Sequence, residues 1–159
     1  MNRFARAAAL TLLLVAGLIT ALTADTALAA DPAQPLIDAD RAFAQRAKAI
    51  GVGPAFREYA ADTSIYPSAP GFTMTPDDWS RAFPPGATLE WEPVGGSMDP
   101  AGTMGMTWGK GVLRGTGSDG KPYERRTHYL TVWQRQPDGS WKFVADTGVP
   151  DPTPPPAKP

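Results

Sequence analysis

The sequence predicts an α+β domain in which helices come first and an antiparallel sheet follows. Up to residue 86 the apolar residues recur at helical spacing, whereas from residue 87 onward they alternate with polar residues, as in a strand. Turns rich in glycine, proline and aspartate separate the alternating segments, and two of these connections are short enough for hairpins. Because helices and strands are grouped rather than alternating along the chain, a parallel βαβ arrangement is not expected.

Two amphipathic helices are predicted at the start of the domain. The first, PLIDADRAFAQRAKAIG, has an apolar stripe and ends at Gly51, a residue typical of helix C-termini. The second begins near Pro54, because proline suits the first turn of a helix, and continues through GPAFREYAAD. The stripe residues are Leu36, Phe43, Ala47 and Ile50 in the first helix, and Phe56, Tyr59 and Ala60 in the second.

A third, short helix is predicted within TPDDWSRAF, after a short extended piece and a loop. Thr75 is a good N-cap residue, and Pro76 fits the first helical position. Asp77 and Asp78 complement the positive end of the helix dipole. Capping therefore explains two adjacent carboxylates that could otherwise be taken for a catalytic pair.

The second half of the chain predicts an antiparallel meander of four strands. The strand segments are TLEWEPV, TMGMTWGKGVLRG, YERRTHYLTVWQRQ and SWKFVADTG, and the turns are GGSMDPAG, GSDGKP and PDG. The glycine-rich stretch GKGVLRGTG lacks the spacing of a phosphate-binding loop and lies within strands rather than before a helix. Its glycines therefore indicate a bend or a bulge in the sheet.

The two ends of the chain differ from the domain between them. MNRFAR, an apolar run and the small residues ALA at 27–29 predict a signal peptide over residues 1–29, and hence a periplasmic or secreted protein. Residues 30–150 form the predicted domain. Residues 151–159 are proline-rich, which predicts a disordered tail. No membrane association is expected once the signal peptide has been cleaved.

Composition excludes several classes of function. With 15 basic and 16 acidic residues the chain is nearly neutral, and alternation sends Arg125 and Arg126 to opposite faces of their strand, so a nucleic-acid surface is not expected. The chain has no cysteine, which rules out disulfides and thiolate chemistry. With one histidine and no metal-ligand spacing, neither a metal site nor a cofactor is predicted.

The single histidine, His128, and Asp146 form a candidate acid/base pair. If Pro137, Asp138 and Gly139 form a three-residue hairpin loop, then Leu130 faces Asp146, and His128 lies diagonally from Asp146 on the same face. The carboxylate would then orient the imidazole and raise its basicity. A pairing shifted by one residue would separate the two side chains. Ligand contact by His128, or a structural hydrogen bond at the sheet edge, remain alternatives.

Two segments resemble the nuclear transport factor 2-like superfamily, and within it the SnoaL-like proteins of domain of unknown function 4440. The segments are ADRAFAQRAKAIGVGPAFREYAADTSIY and HYLTVWQRQPDGSWKFVADTGVP, and the resemblance spans residues 36–150. It implies a cone-shaped fold, in which N-terminal helices pack on a curved antiparallel sheet that encloses a pocket, and a homodimer formed through the sheet. Because the superfamily includes isomerases, dehydratases, cyclases and members without known activity, the resemblance leaves the reaction open.

The leading functional prediction is an exported domain that binds a small hydrophobic or amphipathic molecule. The alternative is an isomerase, dehydratase or cyclase in which His128 is the base, held by Asp146, and either Tyr66 or Tyr129 stabilises an enolate oxygen. A third class, an interaction module whose own side chains fill the pocket, also remains open. The predicted pocket walls are Tyr66, Trp79, Trp91, Trp108 and Tyr129.

Overall fold

The computed structural model describes residues 31–152, and it confirms the predicted α+β class. The predicted signal peptide and residues 153–159 of the predicted tail lie outside the described residues. The elements are α1 (Gln34–Ile50), α2 (Val52–Tyr59), β1 (Ala60–Ile65), a 3₁₀ turn (Pro70–Phe72), β2 (Thr73–Met74), α3 (Pro76–Arg81), β3 (Thr88–Met98), β4 (Met104–Thr116), β5 (Pro122–Arg135) and β6 (Trp141–Pro150). None of the helices between residues 31 and 152 combines the length and apolarity needed to cross a membrane.

The six strands form one open sheet in the order β2-β1-β6-β5-β4-β3. Strands β3 to β6 form the predicted antiparallel meander. The sheet is mixed rather than wholly antiparallel, because β1 pairs with β6 in the parallel direction. The second helix, predicted to continue through Asp62, ends at Tyr59, and Ala60 already begins β1.

The helix ends follow local chemistry. Thr75 and Asp78 form a capping box, in which the Thr75 side chain accepts a hydrogen bond from the Asp78 amide and the Asp78 side chain accepts one from the Thr75 amide. The Thr75 hydroxyl and the Thr75 amide both donate hydrogen bonds to Asp78 Oδ2, at 2.6 Å and 3.0 Å, and these two bonds hold the pKa of Asp78 below its usual value. Asp77 forms an ion pair with Arg57 at 2.9 Å. The capping explanation is confirmed for Asp78, whereas the Asp77 carboxylate pairs with Arg57.

The core lies between the helices and one face of the sheet, which we call the inner face. It is built mainly from aromatic rings: Phe43 of α1 lies 4.8 Å from Phe56 of α2 and 5.8 Å from Phe143 of β6 between ring centroids. Trp133 and Phe143 are completely buried. Interlocking rings of this size remove much apolar surface from water and position the helices over the sheet.

The inner face of β4 is lined largely by glycine. Gly105, Gly109, Gly111 and Gly115 alternate with outward-facing residues and lie opposite large or polar residues of β5. A Cβ atom at position 109 would come within 2.7 Å of the Tyr129 ring, so this ring can lie across the strand only because residue 109 is glycine. The glycines therefore provide space beneath the helices.

Candidate ligand pocket

The β5–β6 hairpin begins as predicted and then departs from regular pairing. The Gln136 amide donates a hydrogen bond to the Ser140 carbonyl at 2.8 Å, and Gly139 has the left-handed φ of 85°. The pairing holds as far as Trp133 and Phe143, where the register shifts, leaving Val144 as an extra residue. This β-bulge moves every later residue of β6 by one position relative to β5.

As a result, His128 and Asp146 lie on opposite faces of the sheet, and the predicted pairing of Leu130 with Asp146 is wrong. Asp146 lies opposite Thr131, whose hydroxyl donates a 2.6 Å hydrogen bond to Asp146 Oδ2. His128 lies opposite Val149, with its Nε2 3.4 Å from Asp151 Oδ1. The physical reason is the bulge, which the alternating pattern does not reveal.

Asp151, the first residue of the predicted tail, also contacts the sheet. Its amide donates a 2.9 Å hydrogen bond to the Arg126 carbonyl, beyond the end of β6. This contact with β5 lies one residue beyond the predicted domain boundary at residue 150. His128 and Asp151 together lie beside the end of the last strand, outside the lining of the pocket.

A cavity of about 480 Å³ opens between the helices and the inner face of the sheet. Its volume falls within the range typical of small-molecule sites. Polar groups on its wall include Thr127, Thr131 and Asp146. Seven aromatic residues line it: Phe43, Phe56, Tyr66, Trp79, Phe83, Trp91 and Tyr129. An apolar wall with few polar groups suits a partly apolar organic molecule.

Asp146 is the carboxyl group on this wall. Burial raises the pKa of Asp146 to about 7, the hydrogen bond from Thr131 opposes this rise, and the negative charge of Asp40 adds to it. The side chain is partly buried among the lining residues. Near neutral pH the carboxyl therefore exists in both protonation states, which is the property required of a group that accepts and returns a proton.

Asp40 is a completely buried carboxylate of α1 behind the pocket wall. It accepts hydrogen bonds from Trp91 Nε1 at 2.7 Å and from the Tyr129 hydroxyl at 2.8 Å. Burial raises the pKa of Asp40, and hydrogen bonds from Thr107, Trp91 and Tyr129 oppose that rise. Thr107 in turn accepts a hydrogen bond from Trp133 Nε1 at 2.9 Å. This buried network ties α1 to three strands of the sheet.

The network also determines what Tyr129 can do. Burial and the neighbouring Asp40 raise the pKa of Tyr129 far above its ordinary value, so the phenol keeps its proton. That proton is donated to Asp40, so the hydroxyl is already engaged within the protein. The ring of Tyr129 lines the pocket, as predicted, while its hydroxyl points to α1.

Tyr66 and Trp79 form another part of the wall. Their ring centroids lie 5.1 Å apart, and Trp79 Nε1 donates a 2.6 Å hydrogen bond to the buried Ser64 hydroxyl. Trp79 is almost completely buried, and Tyr66 packs against the core at its edge. With Trp91 and Tyr129, they are the predicted wall residues that the structure brings to one cavity.

Trp108 lies on the other face of the sheet, which we call the outer face, and its predicted place in the pocket is wrong. It pairs with Leu130 on β5 and with Gly95 on β3, and it is 39% exposed. Trp108 follows the buried Thr107, and successive residues of a strand point to opposite faces. An alternating pattern identifies two faces, but both faces of β4 contain uncharged residues, so the pattern does not select the inner one.

Asp40 was not among the residues predicted for the site, although its position in the sequence is unusual. Asp40 occupies the stripe position between Leu36 and Phe43, four residues after the first and three before the second. A carboxylate within an apolar stripe must find buried hydrogen-bond donors, which marks it as more than a surface charge. No three histidine or acidic residues within residues 31–152 form a group suited to a metal ion.

The comparison with known proteins gives the fold. No protein-family model and no curated protein sequence matches this chain. A ketosteroid isomerase-like protein from Erwinia carotovora atroseptica has a TM-score of 0.56 and 13% identity, covering 73% of this chain and 94% of its own. A nuclear transport factor 2-like protein with a cystatin-like fold from Novosphingobium aromaticivorans has a TM-score of 0.51 and 14% identity, covering 72% of this chain and 79% of its own. The association domain of C. elegans CaMKII has a TM-score of 0.52 and 15% identity, covering 74% of this chain and 96% of its own.

The chain has an α+β cone fold: its helices pack on an open, mainly antiparallel sheet, and a pocket lies between the two layers. This is the fold of the nuclear transport factor 2-like proteins to which the chain is similar in structure. At these low identities the likeness concerns the fold alone, so function has to be argued from the pocket.

Proposed function

We propose that this protein is an exported domain of the SnoaL-like type, domain of unknown function 4440, that binds a small, partly apolar molecule. The observation that carries this proposal is the aromatic cavity of about 480 Å³ with the Asp146 carboxyl on its wall. The rings offer a large apolar contact area, while Asp146 and Thr131 offer a hydrogen-bonding position. Export rests on the signal-peptide pattern of residues 1–29.

A tryptophan fluorescence titration with an apolar ligand tests the proposal. Decanol is expected to quench or shift the tryptophan fluorescence of the wild-type protein, because Trp79 and Trp91 line the cavity. The change should be smaller in Trp79→Phe and should persist in Trp141→Phe, whose ring lies outside the lining. Titrations of the three proteins measure this directly, and an unchanged spectrum for decanol and across a broad metabolite panel would contradict binding.

Proton transfer is the second candidate function, and the raised pKa of Asp146 favours it. A carboxyl that titrates near pH 7 beside an apolar cavity can remove a proton from a bound carbon acid and return it to a neighbouring position. Such chemistry belongs to the isomerase, dehydratase and cyclase class. The acid/base role falls on Asp146 alone, because His128 lies on the outer face and the Tyr129 proton is committed to Asp40.

We also propose a homodimer formed through the outer face of the sheet. Exposed apolar side chains of β4 and β5 adjoin one another there, with Trp108 opposite Leu130. Met104, Met106, Trp108 and Leu130 are between 37% and 42% exposed. Contiguous apolar surface of this kind is typical of protein–protein interfaces.

The Leu130→Glu variant should therefore be monomeric at concentrations where the wild-type protein is dimeric. A charge placed at the centre of the apolar surface would have to be buried without a partner in the dimer. Sedimentation velocity measures the mass, and Ile50→Glu, at the end of α1, is a matched control because Ile50 is similarly exposed at 37%. A monomeric wild-type protein, or an unaffected Leu130→Glu dimer, would contradict this interface.

A further inference from the structure

The geometry points to a ligand with an anionic head group, a carboxylate or a phosphate, that Arg125 binds at the mouth of the pocket. This inference rests on the proposed binding function and adds the class of ligand. The apolar part of such a molecule would lie against the aromatic wall, and its charged end would face solvent.

Arg125 lies on the inner face of β5, at the open end of the cavity. Thr127, Tyr129 and Thr131 follow it at every second position, and all four residues line the pocket. The backbone of Arg125 is six residues from that of Thr131, or roughly 20 Å along the strand. Arg125 is exposed, whereas Thr131 is buried. The guanidinium thus marks the mouth, and the Thr131–Asp146 pair marks the inner end.

The charge of Arg125 has no acidic partner within residues 31–152. Neighbouring arginines do have acidic partners: Arg126 lies 3.5 Å from Glu124, and Arg114 lies 3.0 Å from the same carboxylate. Arg125 instead lies over the Tyr123 ring, 5.0 Å from its centroid. The Tyr123 ring lies across Gly115, where a Cβ atom would come within 2.6 Å of the phenol oxygen. Arg125 is therefore held in place while its positive charge remains available.

The charges at the inner end of the pocket disfavour the binding of an anionic group there. Asp146 carries negative charge in its ionised state, and buried Asp40 lies behind the same wall. An anionic head group placed there would meet like charges in an apolar environment, which is unfavourable. The same head group at Arg125 meets a guanidinium, which can donate two hydrogen bonds to a carboxylate or a phosphate. The charges at the two ends therefore orient the ligand with its apolar part inward.

The test compares decanol, decanoate and decyl phosphate, which share one apolar chain and differ in the head group. Tryptophan fluorescence titrations should show that the wild-type protein binds an anionic probe more tightly than decanol. In Arg125→Gln the affinity for that anionic probe should fall by about fivefold, the effect of a partly exposed charge pair, and the affinity for decanol should not change. Arg135→Gln is the matched control, because Arg135 lies on the same strand outside the pocket lining.

The outcomes separate the two proposals. Loss of affinity in Arg125→Gln for decanoate alone, or for decyl phosphate alone, supports the inference and identifies the head group. Equal affinities of decanol and both anions in the wild-type protein, or an anion preference that survives in Arg125→Gln, would overturn the inference while leaving the binding function intact. If none of the three probes binds the wild-type protein, the inference fails, and the proposed function fails with it only if the metabolite panel also leaves the spectrum unchanged.

Discussion

Replacing Asp146 by asparagine is expected to stabilise the folded protein at about pH 8 and to change it little at about pH 4. Burial raises the pKa of folded Asp146 to about 7, from a usual value of 3.8. The folded state therefore binds this proton more tightly than the unfolded state does, and wild-type stability falls as the pH rises between these two values. At about 1.4 kcal/mol per pH unit, the gain in the free energy of unfolding could reach about 4 kcal/mol. Urea denaturation of both proteins at each pH measures it.

The pH dependence of wild-type stability alone does not isolate the effect of Asp146. Burial also raises the pKa of Asp40, so Asp40 changes the stability with pH in the same direction. The difference between the wild-type protein and Asp146→Asn does isolate it. Asp78→Asn is a control of opposite sign: hydrogen bonds lower the pKa of Asp78, so its stabilising effect is present at neutral pH and lost in acid. An Asp146→Asn gain that is equal at both pH values would show that burial does not perturb Asp146.

The same variant should lack any proton-transfer activity that His128→Ala retains.

Replacing Asp40 by alanine is expected to destabilise the protein by roughly 3–5 kcal/mol. The change removes a buried acceptor, to which Trp91 Nε1 donates a hydrogen bond at 2.7 Å, the Tyr129 hydroxyl donates one at 2.8 Å, and Thr107 donates a third. Each donor would then be buried without a partner, and a small cavity would remain beside them. The loss should appear as a lower midpoint in urea denaturation. The midpoint of Asp40→Asn should lie between those of the wild-type protein and Asp40→Ala, because the asparagine amide oxygen can still accept hydrogen bonds.

Asp38→Ala is the matched control for this prediction. Asp38 lies two residues earlier on α1, is exposed, and has a loose ion pair with Arg41 at 3.8 Å. Removing it should change the free energy of unfolding by less than about 0.5 kcal/mol. Similar losses in Asp38→Ala and Asp40→Ala would mean that the buried network contributes little to stability.

The parts of the fold that were predicted from the sequence depend on local chemistry. The capping box at Thr75 and the turn at Gly139 are determined by a few adjacent residues, and both formed as expected. Strand β1 was predicted only in part: its last three residues were expected to be extended, but its first three were assigned to the second helix. AADTSI has few apolar residues and is stabilised by pairing with β6, far away in the sequence. Nothing within those six residues indicates that partner.

The candidate site was predicted in part for the same reason. Large aromatic residues are often buried wherever they occur, so Trp79 and Trp91 could be placed near a cavity from their type alone. Alternate residues of a strand point to opposite faces, so the face of a residue depends on its distance from the turn. The extra residue Val144 shifts this count by one and moves Asp146 to the other face. The pairing of Asp40 with Trp91 and Tyr129 joins residues 51 and 89 positions apart, which no local pattern contains.

The bulge at Val144 has an evolutionary consequence. Because the extra residue is absorbed between Phe143 and Ala145, a relative with one codon fewer at this point would still present its aspartate opposite Thr131. A gain or loss of that codon can therefore be neutral for the pocket, although it changes the distance from the turn. Homologous sequences are best aligned here from the Thr131–Asp146 pair toward the turn, with the gap placed at position 144.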